Sequence, residues 1–351
     1  MLVCGRIKNI KKTKRNVFLQ VSGEFLFQIV IKYEIYNDVI CEQIYNNDII
    51  SATVHLDDMN NGRFKSLLPS YIAEKISVLS HSKSNSLGLE LYMHNVVLYS
   101  EAKKRVRSLL ESKNYIEVVI PILTDGETSS KADSFETYYK KTSKKLYLRK
   151  TMDSFLRMYS CCDYNRVYAI GPCFRNEFIT SINVSEFEML SIFSNYLSLD
   201  EAKDLAIEII YAILGKQLSI KKITQCDYEK LKSKNGAYLI ENIKNTDNSY
   251  CEMGENDYTQ EFKLKLDEIT LVHGVQEIST LESYNNRIKL QGKKENYGEL
   301  KKLEWALSYG APPCVNLGIS IIRTLAVYNK MKIKEFDPLS LHRLNMGHQI
   351  G

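Results

Sequence analysis

The chain has 351 residues, of which 44% are hydrophobic and 25% are charged. This length suggests two domains at roughly 150 residues each, and the apolar content excludes a disordered chain. The 47 Lys and Arg residues exceed the 42 Asp and Glu residues, which leaves a net charge of +5. A surplus of this size favours an anionic partner only weakly and does not identify a function.

The cysteines and the N-terminus indicate the cellular setting. The eight cysteines form no CxxC motif and no Cys/His set at zinc spacing, so neither a disulfide scaffold nor a zinc site is suggested. The segment MLVCGRIKNIKKTKRN carries charge where a signal peptide needs an apolar core. No later run approaches the roughly 18 apolar residues of a membrane span. We therefore predict a cytoplasmic protein with no membrane partner.

Residues 1–80 show short apolar segments separated by polar turns, namely LVCGRI, NVFLQV, EFLFQIVI and DIISATVHL. Strands at this spacing suit a five-stranded barrel of the oligonucleotide-binding (OB) type, although another all-β domain of this size would give a similar pattern. Basic side chains outnumber acidic ones near the start, so one end of the barrel is expected to be positive. Against Glu24 alone, residues 1–32 contain Arg6, Lys8, Lys11, Lys12, Lys14, Arg15 and Lys32.

A Ser-rich stretch, LSHSKSNSLGLE, follows the barrel and predicts a linker, which we place at residues 81–95. Apolar residues from Leu98 to Leu110 then recur at helical spacing, and the helix gives way to the β-like run YIEVVIPIL. A second amphipathic helix is predicted over residues 198–214.

Strand-like segments lie around residues 146–149, 166–171 and 185–193. They mix with the helices without the regular alternation of a doubly wound sheet, so we predict an α+β domain with a mostly antiparallel sheet over residues 96–351. The chain has no GxxxxGK[ST] or GxGxxG loop. Any bound nucleotide is therefore held without a glycine cradle.

Two segments contain polar residues suited to chemistry. In RVYAIGPCFRNEFITSINVSEFEML, residues 166–190, Arg175 and Glu177 would share one face of a strand. There an arginine could bind a phosphate and a carboxylate an amine, although periodicity alone favours a cross-strand salt bridge. In ALSYGAPPCVNLGISIIRTLAVY, residues 306–328, Arg323 interrupts an apolar run. It needs an anionic or aromatic partner, and a structural ion pair is the plain alternative.

Taken together, the two segments resemble motifs 2 and 3 of the class II aminoacyl-tRNA synthetases. The resemblance rests on FRNE, eight residues and then EF, and much later on YG-x-PP-xxx-LGI-x-I-x-R. Within that class the chain looks most like lysyl-tRNA synthetase. The likeness extends to the G-R-I start of the barrel, to a weak motif 1 ending at Pro121, to LYLRKTMDSFLR and to HGVQEIS.

The resemblance implies an ATP held in a bent form on an antiparallel sheet. Arg175 would bind the α-phosphate, Glu177 would lie near the adenine amine, and Phe187 and Arg323 would sandwich the adenine. Glu277 would bind Mg²⁺ and the nucleotide, with a second acidic ligand falling imperfectly at Asp267 or Glu268 because the spacing is longer here. Arg175, Arg323 and Glu277 are thus the predicted catalytic residues.

The resemblance also implies partners for the chain. The barrel would bind tRNA, with Phe18 stacking on the middle anticodon base, Gln28 reading its edge and Arg6 on the same early strands. Phe18 could equally be ordinary barrel core, and Gln28 a solvated strand residue. Motif 1 implies a homodimer.

The amino-acid pocket departs from the lysyl pattern, because most of its acidic residues are missing. Tyr284 replaces the acid expected to hold the substrate side chain, and Ser191 and Phe193 replace an acid and a tyrosine. Asp153 stands where the family has a glutamate facing the α-amino group, and Glu282 is the nearest acid that could compensate. The predicted pocket is Asp153, Ser191, Phe193, Thr280, Tyr284 and Asn316. A smaller, neutral or aromatic amino acid would suit it better than lysine.

Motif 3 departs as well, since Val315, Asn316 and Ser320 replace glycines and Ile322 replaces an acid. Added side chains would narrow the floor of the site. We predict an ATP-dependent ligase that forms an aminoacyl-adenylate and passes the acyl group to an acceptor, most simply tRNA. The alternative is a non-catalytic nucleic-acid-binding or regulatory paralogue that keeps the synthetase shape.

Overall fold

The structure is a computed structural model that describes residues 1–40, 43–57, 68–82, 93–126, 132–178, 180, 183–244, 251–254, 258–290 and 304–336. The chain divides into two compact units, Met1–Leu91 and Tyr92–Gly351. In the parts of the chain that are described, no helix is long and apolar enough to cross a membrane. The seven cysteines that fall in these parts are all free thiols.

The first unit is a closed barrel with the strand order β1-β2-β3-β5-β4. Its strands pair antiparallel except β3 and β5, which run parallel. A closed five-stranded barrel was predicted here. The elements are β1 (Leu2–Lys12), β2 (Asn16–Ser22), β3 (Leu26–Lys32), a 3₁₀ turn (Tyr33–Ile35), α1 (Tyr36–Val39), β4 (Ile49–Leu56) and β5 (Ser70–Ser80).

Strand alternation accounts for the barrel interior. Val17, Leu19 and Val21 alternate with half-buried residues along β2, and all three are at most 1% exposed. Successive side chains on a strand point to opposite faces, so the odd-numbered residues of β2 fill the core. Phe18 therefore belongs to the outer surface of the barrel. This excludes the alternative that Phe18 is an ordinary core residue.

The second unit contains a large sheet, a small sheet and flanking helices. The eight-stranded sheet has the order β12-β13-β14-β15-β16-β11-β10-β6, and the small one has the order β7-β9-β8. The elements are α2 (Met93–Ser112), β6 (Ile116–Glu117), β7 (Leu123–Thr124), β8 (Glu136–Tyr139), β9 (Lys144–Leu148), α3 (Asp153–Cys161), β10 (Arg166–Phe174), β11 (Glu186–Asn195), α4 (Leu199–Leu214), β12 (Ile220–Thr224), α5 (Gln225–Lys230), β13 (Ala237–Glu241), β14 (Glu261–Leu266), β15 (Ile269–Glu277), α6 (Leu281–Leu290), β16 (Cys314–Ile319), α7 (Ile321–Tyr328) and α8 (Ile333–Phe336).

The large sheet is antiparallel from β13 through β10 and parallel only at its two edge pairs. The predicted mostly antiparallel sheet is confirmed. One face carries the main core, in which α2, α4 and α7 pack on side chains such as Tyr168, Leu190 and Leu317. The opposite face is covered by α3 over β10 and β11.

Helix α4 of the main core has clear boundaries. Ser198 and Glu201 form a reciprocal capping box at the start of α4, and Gly215 ends the helix with a φ of 69°. A side chain is disfavoured at that φ, so glycine suits the position. This helix matches the one predicted over residues 198–214.

Candidate active site

The register of the strands decides which residues share the face that α3 covers. Asn316 on β16 lies directly opposite Phe193 on β11, and Gly318 lies opposite Ser191. On the other side of β16, Cys314 lies opposite Glu277. Directly opposite residues of antiparallel strands project to one face, so Ser191, Phe193, Asn316 and Glu277 converge there.

Glu277, at the end of β15, is 6% exposed. The side chain of Asn316 donates a hydrogen bond of 3.1 Å to its Oε1. Burial raises the pKa of Glu277 to about 7, and the charge of Asp153 adds to this, while the Arg157 charge and the Asn316 hydrogen bond oppose it. A buried carboxylate with this pKa lacks a full complement of positive partners.

Asp153, the first residue of α3, lies close enough to Glu277 for their charges to interact. Burial raises its pKa, and neighbouring polar side chains together with the Arg175 charge only partly offset the rise. Its Oδ1 atom is buried without a hydrogen-bond partner. Two carboxylates therefore meet on this face at a clear electrostatic cost, a combination common where a ligand binds.

Sequence reasoning missed Arg157, which lies one turn after Asp153 on α3. It is 1% exposed, and it donates to the carbonyl of Ile278 at 3.1 Å and to Ser160 Oγ at 3.2 Å. Its charge acts on Glu277. The sequence did contain a signal for this residue, since Arg157 ends the helical pattern of LYLRKTMDSFLR. An arginine buried in such a helix requires carbonyl or carboxylate partners.

The predicted phosphate-binding arginine lies at the other end of the face. The guanidinium carbon of Arg175 is 5.0 Å from the centroid of the Phe187 ring, and its backbone N–H donates to Ser185. β10 ends at Phe174, so Arg175 and Glu177 lie in the loop after the strand. The prediction that the two share one strand face is wrong, because the ladder with β11 stops at Phe174–Glu186. Glu177 is exposed.

Arg323, in the first turn of α7, also reaches this end of the sheet. It donates to the carbonyl of Thr270 at 3.3 Å and to Asn183 Oδ1 at 3.4 Å. Burial lowers its pKa, and the positive charge of Arg175 lowers it further. Two guanidinium groups that repel each other favour an anion between them. It is Arg175, however, that stacks on Phe187 here.

The structure contradicts the assignment of Glu268 as a second metal ligand. Asp267 and Glu268 form the turn between β14 and β15, both with positive φ, and Asp267 pairs with Lys330. Glu277 is at the opposite end of β15, and at about 3.3 Å per residue the two carboxylates are roughly 25–30 Å apart. Glu268 and Glu277 therefore cannot hold one ion.

The remaining predicted pocket residues separate into buried and exposed ones. Tyr284 is fully buried on α6 beside Ile278 and Leu307. Glu282, two residues earlier, is exposed, so it does not share the Tyr284 environment. Thr280 is also exposed and accepts the backbone N–H of Ser283 at 3.1 Å. It therefore caps α6, and the structure does not bring it to the sheet face.

Buried polar atoms without hydrogen-bond partners concentrate on this face. They are Asp153 Oδ1, Ser191 Oγ, Asn316 Oδ1 and the Nε atoms of Arg157, Arg175 and Arg323. Such atoms are rare in folded proteins, because each costs about 1–3 kcal/mol when it is left unpaired. Their concentration defines a site that a polar, partly anionic ligand would satisfy.

In the barrel, the register places the three predicted RNA contacts. Phe18 pairs with Lys11 on one side and with Val30 on the other. Gln28 pairs with Gln20, two positions along the same outer face, and donates to Ser70 at 3.4 Å. Arg6 donates to the carbonyl of Asn47 at 2.7 Å, so its guanidinium is partly occupied within the barrel.

Comparison with known proteins relates residues 86–250 to a class of proteins. Residues 86–250 match the family model described as tRNA synthetases class II (D, K and N). This segment therefore forms a class II tRNA synthetase domain, and the predicted relationship is confirmed.

The similar curated proteins point to one member of that class. The chain is 24% identical over 243 residues to the lysine–tRNA ligase of Saccharolobus solfataricus, covering 64% of this chain and 49% of that protein. It is 25% identical over 330 residues to the Buchnera aphidicola enzyme, covering 73% and 64%. It is 24% identical over 426 residues to the Sulfolobus acidocaldarius enzyme, covering 95% and 85%. The chain thus spans about half to two thirds of the first two relatives and resembles lysyl-tRNA synthetases.

Proposed function

We propose that the protein activates an amino acid with ATP, as an aminoacyl-adenylate, and transfers the acyl group to tRNA. The observation that carries this proposal is the group of unpaired buried polar atoms on the sheet face. Asp153, Ser191 and Asn316 supply acceptors or hydroxyls at one end, and Arg175 and Arg323 supply cations at the other. A molecule with an ammonium group at one end and phosphates at the other complements this arrangement.

The chemistry follows from the charges. When the amino-acid carboxylate attacks the α-phosphate, negative charge grows on the phosphate oxygens, and a prepositioned arginine stabilises that charge more than the ground state. Arg175 is proposed for this role. Because the attacking carboxylate is already ionised, no general base is needed. Binding of adenine against Phe187 requires the Arg175 guanidinium to leave the ring and turn towards the phosphates.

The residues present fit a magnesium ion. Proteins usually hold Mg²⁺ through one or two carboxylates together with substrate phosphates. Glu277 offers such a carboxylate, and Asp153 is close enough for its charge to act on Glu277. The described residues contain no cluster of three or more His, Cys, Asp or Glu side chains that could hold a metal by themselves. When bound, Mg²⁺ would neutralise phosphate charge.

The amino-acid pocket favours a substrate other than lysine. Ser191, Phe193 and Tyr284, which replace the acids and tyrosine of the lysyl pocket, are all at most 1% exposed. An ammonium side chain buried among them would lose its hydration without a carboxylate in return. Glu282, two residues before Tyr284, is exposed and does not share this environment. We propose a small neutral or aromatic amino acid.

Amino-acid-dependent exchange of labelled pyrophosphate into ATP tests the proposal. We expect one neutral amino acid among the twenty standard ones to support exchange in the presence of Mg²⁺, and lysine, ornithine and β-lysine to support little. If lysine alone supported exchange, the proposed preference for a neutral or aromatic amino acid would be wrong. No exchange together with no ATP binding would favour the non-catalytic alternative.

The barrel is proposed to bind the tRNA anticodon, as an OB-type domain over residues 1–80. The outer face that carries Phe18 beside Lys11 offers an aromatic ring next to a cation, and Gln28 lies on the same face. This combination suits a single-stranded RNA base, which stacks on the ring while the cation approaches the backbone. Residues 96–351 are proposed to be the catalytic domain.

Phe18→Ala is expected to weaken tRNA binding by about 10- to 100-fold, because a stacked base contributes roughly 1–3 kcal/mol. Amino-acid activation should be unchanged. Filter binding with bulk tRNA at fixed salt measures the effect, and Phe25→Ala, an exposed aromatic at the β2–β3 turn, is the matched control. Equal affinities for both variants would remove the anticodon role.

A homodimer is also proposed. The segment that resembles motif 1 exposes four apolar side chains to solvent in the monomer. Their exposed fractions are 51% for Ile116, 90% for Val119, 42% for Ile122 and 50% for Leu123. Contiguous exposed apolar groups favour a protein contact. We further propose a cytoplasmic location, where amino acids, ATP and tRNA are all present.

A further inference from the structure

A histidine that no assigned role uses lies on the active face of the sheet. His273 on β15 pairs directly with Gly318 on β16, and Gly318 pairs in turn with Ser191. All three therefore share the face that carries Glu277 and Asn316. The Met189 methyl packs over Gly318, so closely that a Cβ at this position would approach it to 2.8 Å.

Glu261 holds the imidazole in place. Its Oε2 lies 2.5 Å from His273 Nε2, and its Oε1 accepts a hydrogen bond of 2.7 Å from Thr259. The Glu261 side chain is fully buried, whereas 37% of the His273 side chain is exposed. Since Nε2 points to the carboxylate, it carries a proton, and Nδ1 is left for another partner.

A lysine stands next to this histidine. Lys263 on β14 is directly opposite His273, so their Cβ atoms are about 5 Å apart on the same face. The groups that face the imidazole are thus Glu261 and Lys263 from β14, Thr259 before that strand, and the backbone of Gly318 from β16. The Lys263 ammonium next to a partly exposed imidazole is an arrangement that suits an anion.

The position of the pair along β15 indicates which anion. Thr270, whose carbonyl binds Arg323, is three residues before His273, and Glu277 is four residues after it. At about 3.3 Å per residue, His273 lies roughly 10 Å from one end of the proposed nucleotide site and 13 Å from the other. We infer that His273 and Lys263 bind the terminal phosphates of the nucleotide, and hence the pyrophosphate that leaves. This inference rests on the proposed ATP site.

The test compares ATP with AMP, which lacks the terminal phosphates, by calorimetric titration of the full chain with Mg²⁺ present. His273→Gln keeps an amide donor for Glu261 but removes Nδ1, and Lys263→Met keeps the aliphatic stem but removes the charge. Each variant should raise the Kd for ATP about 10-fold and leave the Kd for AMP within about twofold. Lys265→Met is the control, because the Lys265 amine lies over the Tyr228 ring, 5.2 Å from its centroid, and not beside His273.

The outcomes separate this inference from the proposed function. An equal loss of ATP and AMP affinity would mean that the pair only supports the sheet, and unchanged ATP affinity would mean that it does not contact phosphate; either result overturns the inference alone. A wild-type protein that binds neither nucleotide would overturn both proposals.

Discussion

Arg175→Ala is expected to lower the rate of pyrophosphate exchange by about 100- to 1,000-fold, as loss of one preorganised donor to a developing charge typically does. The guanidinium of Arg175 contributes little to the stability of the fold, since its Nε has no hydrogen-bond partner and its main contact is the Phe187 ring. The fold should therefore survive, and relief of repulsion should favour the charged state of Arg323.

Arg175→Lys separates charge from shape in the same assay. Lysine retains the positive charge but not the forked donor geometry, so it should restore only part of the rate. Circular dichroism and the thermal midpoint provide the control for folding. Near-normal exchange by Arg175→Ala, with an intact fold, would remove this residue from the α-phosphate.

Glu277→Gln is expected to stabilise the protein at pH 8 and at the same time to lower exchange by at least about 100-fold. The pKa of Glu277 is about 7 in the folded state, against 4.5 as the ordinary value. Between these two values the folded state binds more protons than the unfolded one, so this group lowers stability as the pH rises through the window. Above pH 7 the full cost is about 3 kcal/mol.

Urea titrations at pH 5 and pH 8 measure the difference in the free energy of unfolding. The glutamine variant should gain about 3 kcal/mol at pH 8 and much less at pH 5, because it removes the charge yet can still accept from Asn316. Glu261→Gln is a matched control with the opposite sign. Its histidine and threonine partners lower the pKa of Glu261 to about 2, so removing that charge should destabilise the protein near neutral pH.

A loss of stability in Glu277→Gln at both pH values, with exchange intact, would instead make Glu277 the structural partner of Arg157. The predicted combination of higher stability and lost activity is what a buried carboxylate reserved for a ligand implies.

Local patterns predicted several elements well. Apolar alternation located the barrel strands, and helical periodicity with a Ser198 cap located α4. Both signals depend on neighbours within a few positions of the chain, where the periods of strands and helices act directly. The resemblance over motif 2, HGVQEIS and motif 3 likewise selected Arg175, Phe187, Glu277 and Arg323, of which Arg175 lies against Phe187 and close enough to Arg323 for their charges to interact.

The errors arose where contacts depend on distant strands. β10 ends at Phe174, so Arg175 and Glu177 leave the ladder, and Glu268 lies in the hairpin turn far from Glu277. Spacing along the chain could not show where β10 ends, because the partner strand sets the end of a ladder. It also could not show that Glu268 and Glu277 lie at opposite ends of β15, a strand of nine residues.

The sequence alone predicted the class of synthetase that residues 86–250 match, the order of the two units and the polar residue types of the site, because these reside in local periodicity and in short motifs. The tertiary structure alone decided that Arg157 binds the carbonyl of Ile278, next to Glu277 in the chain, that Thr280 caps a helix, and that His273 lies directly opposite Lys263. Register between strands separated by many residues sets these neighbours, and a shift of one residue would turn each side chain to the opposite face.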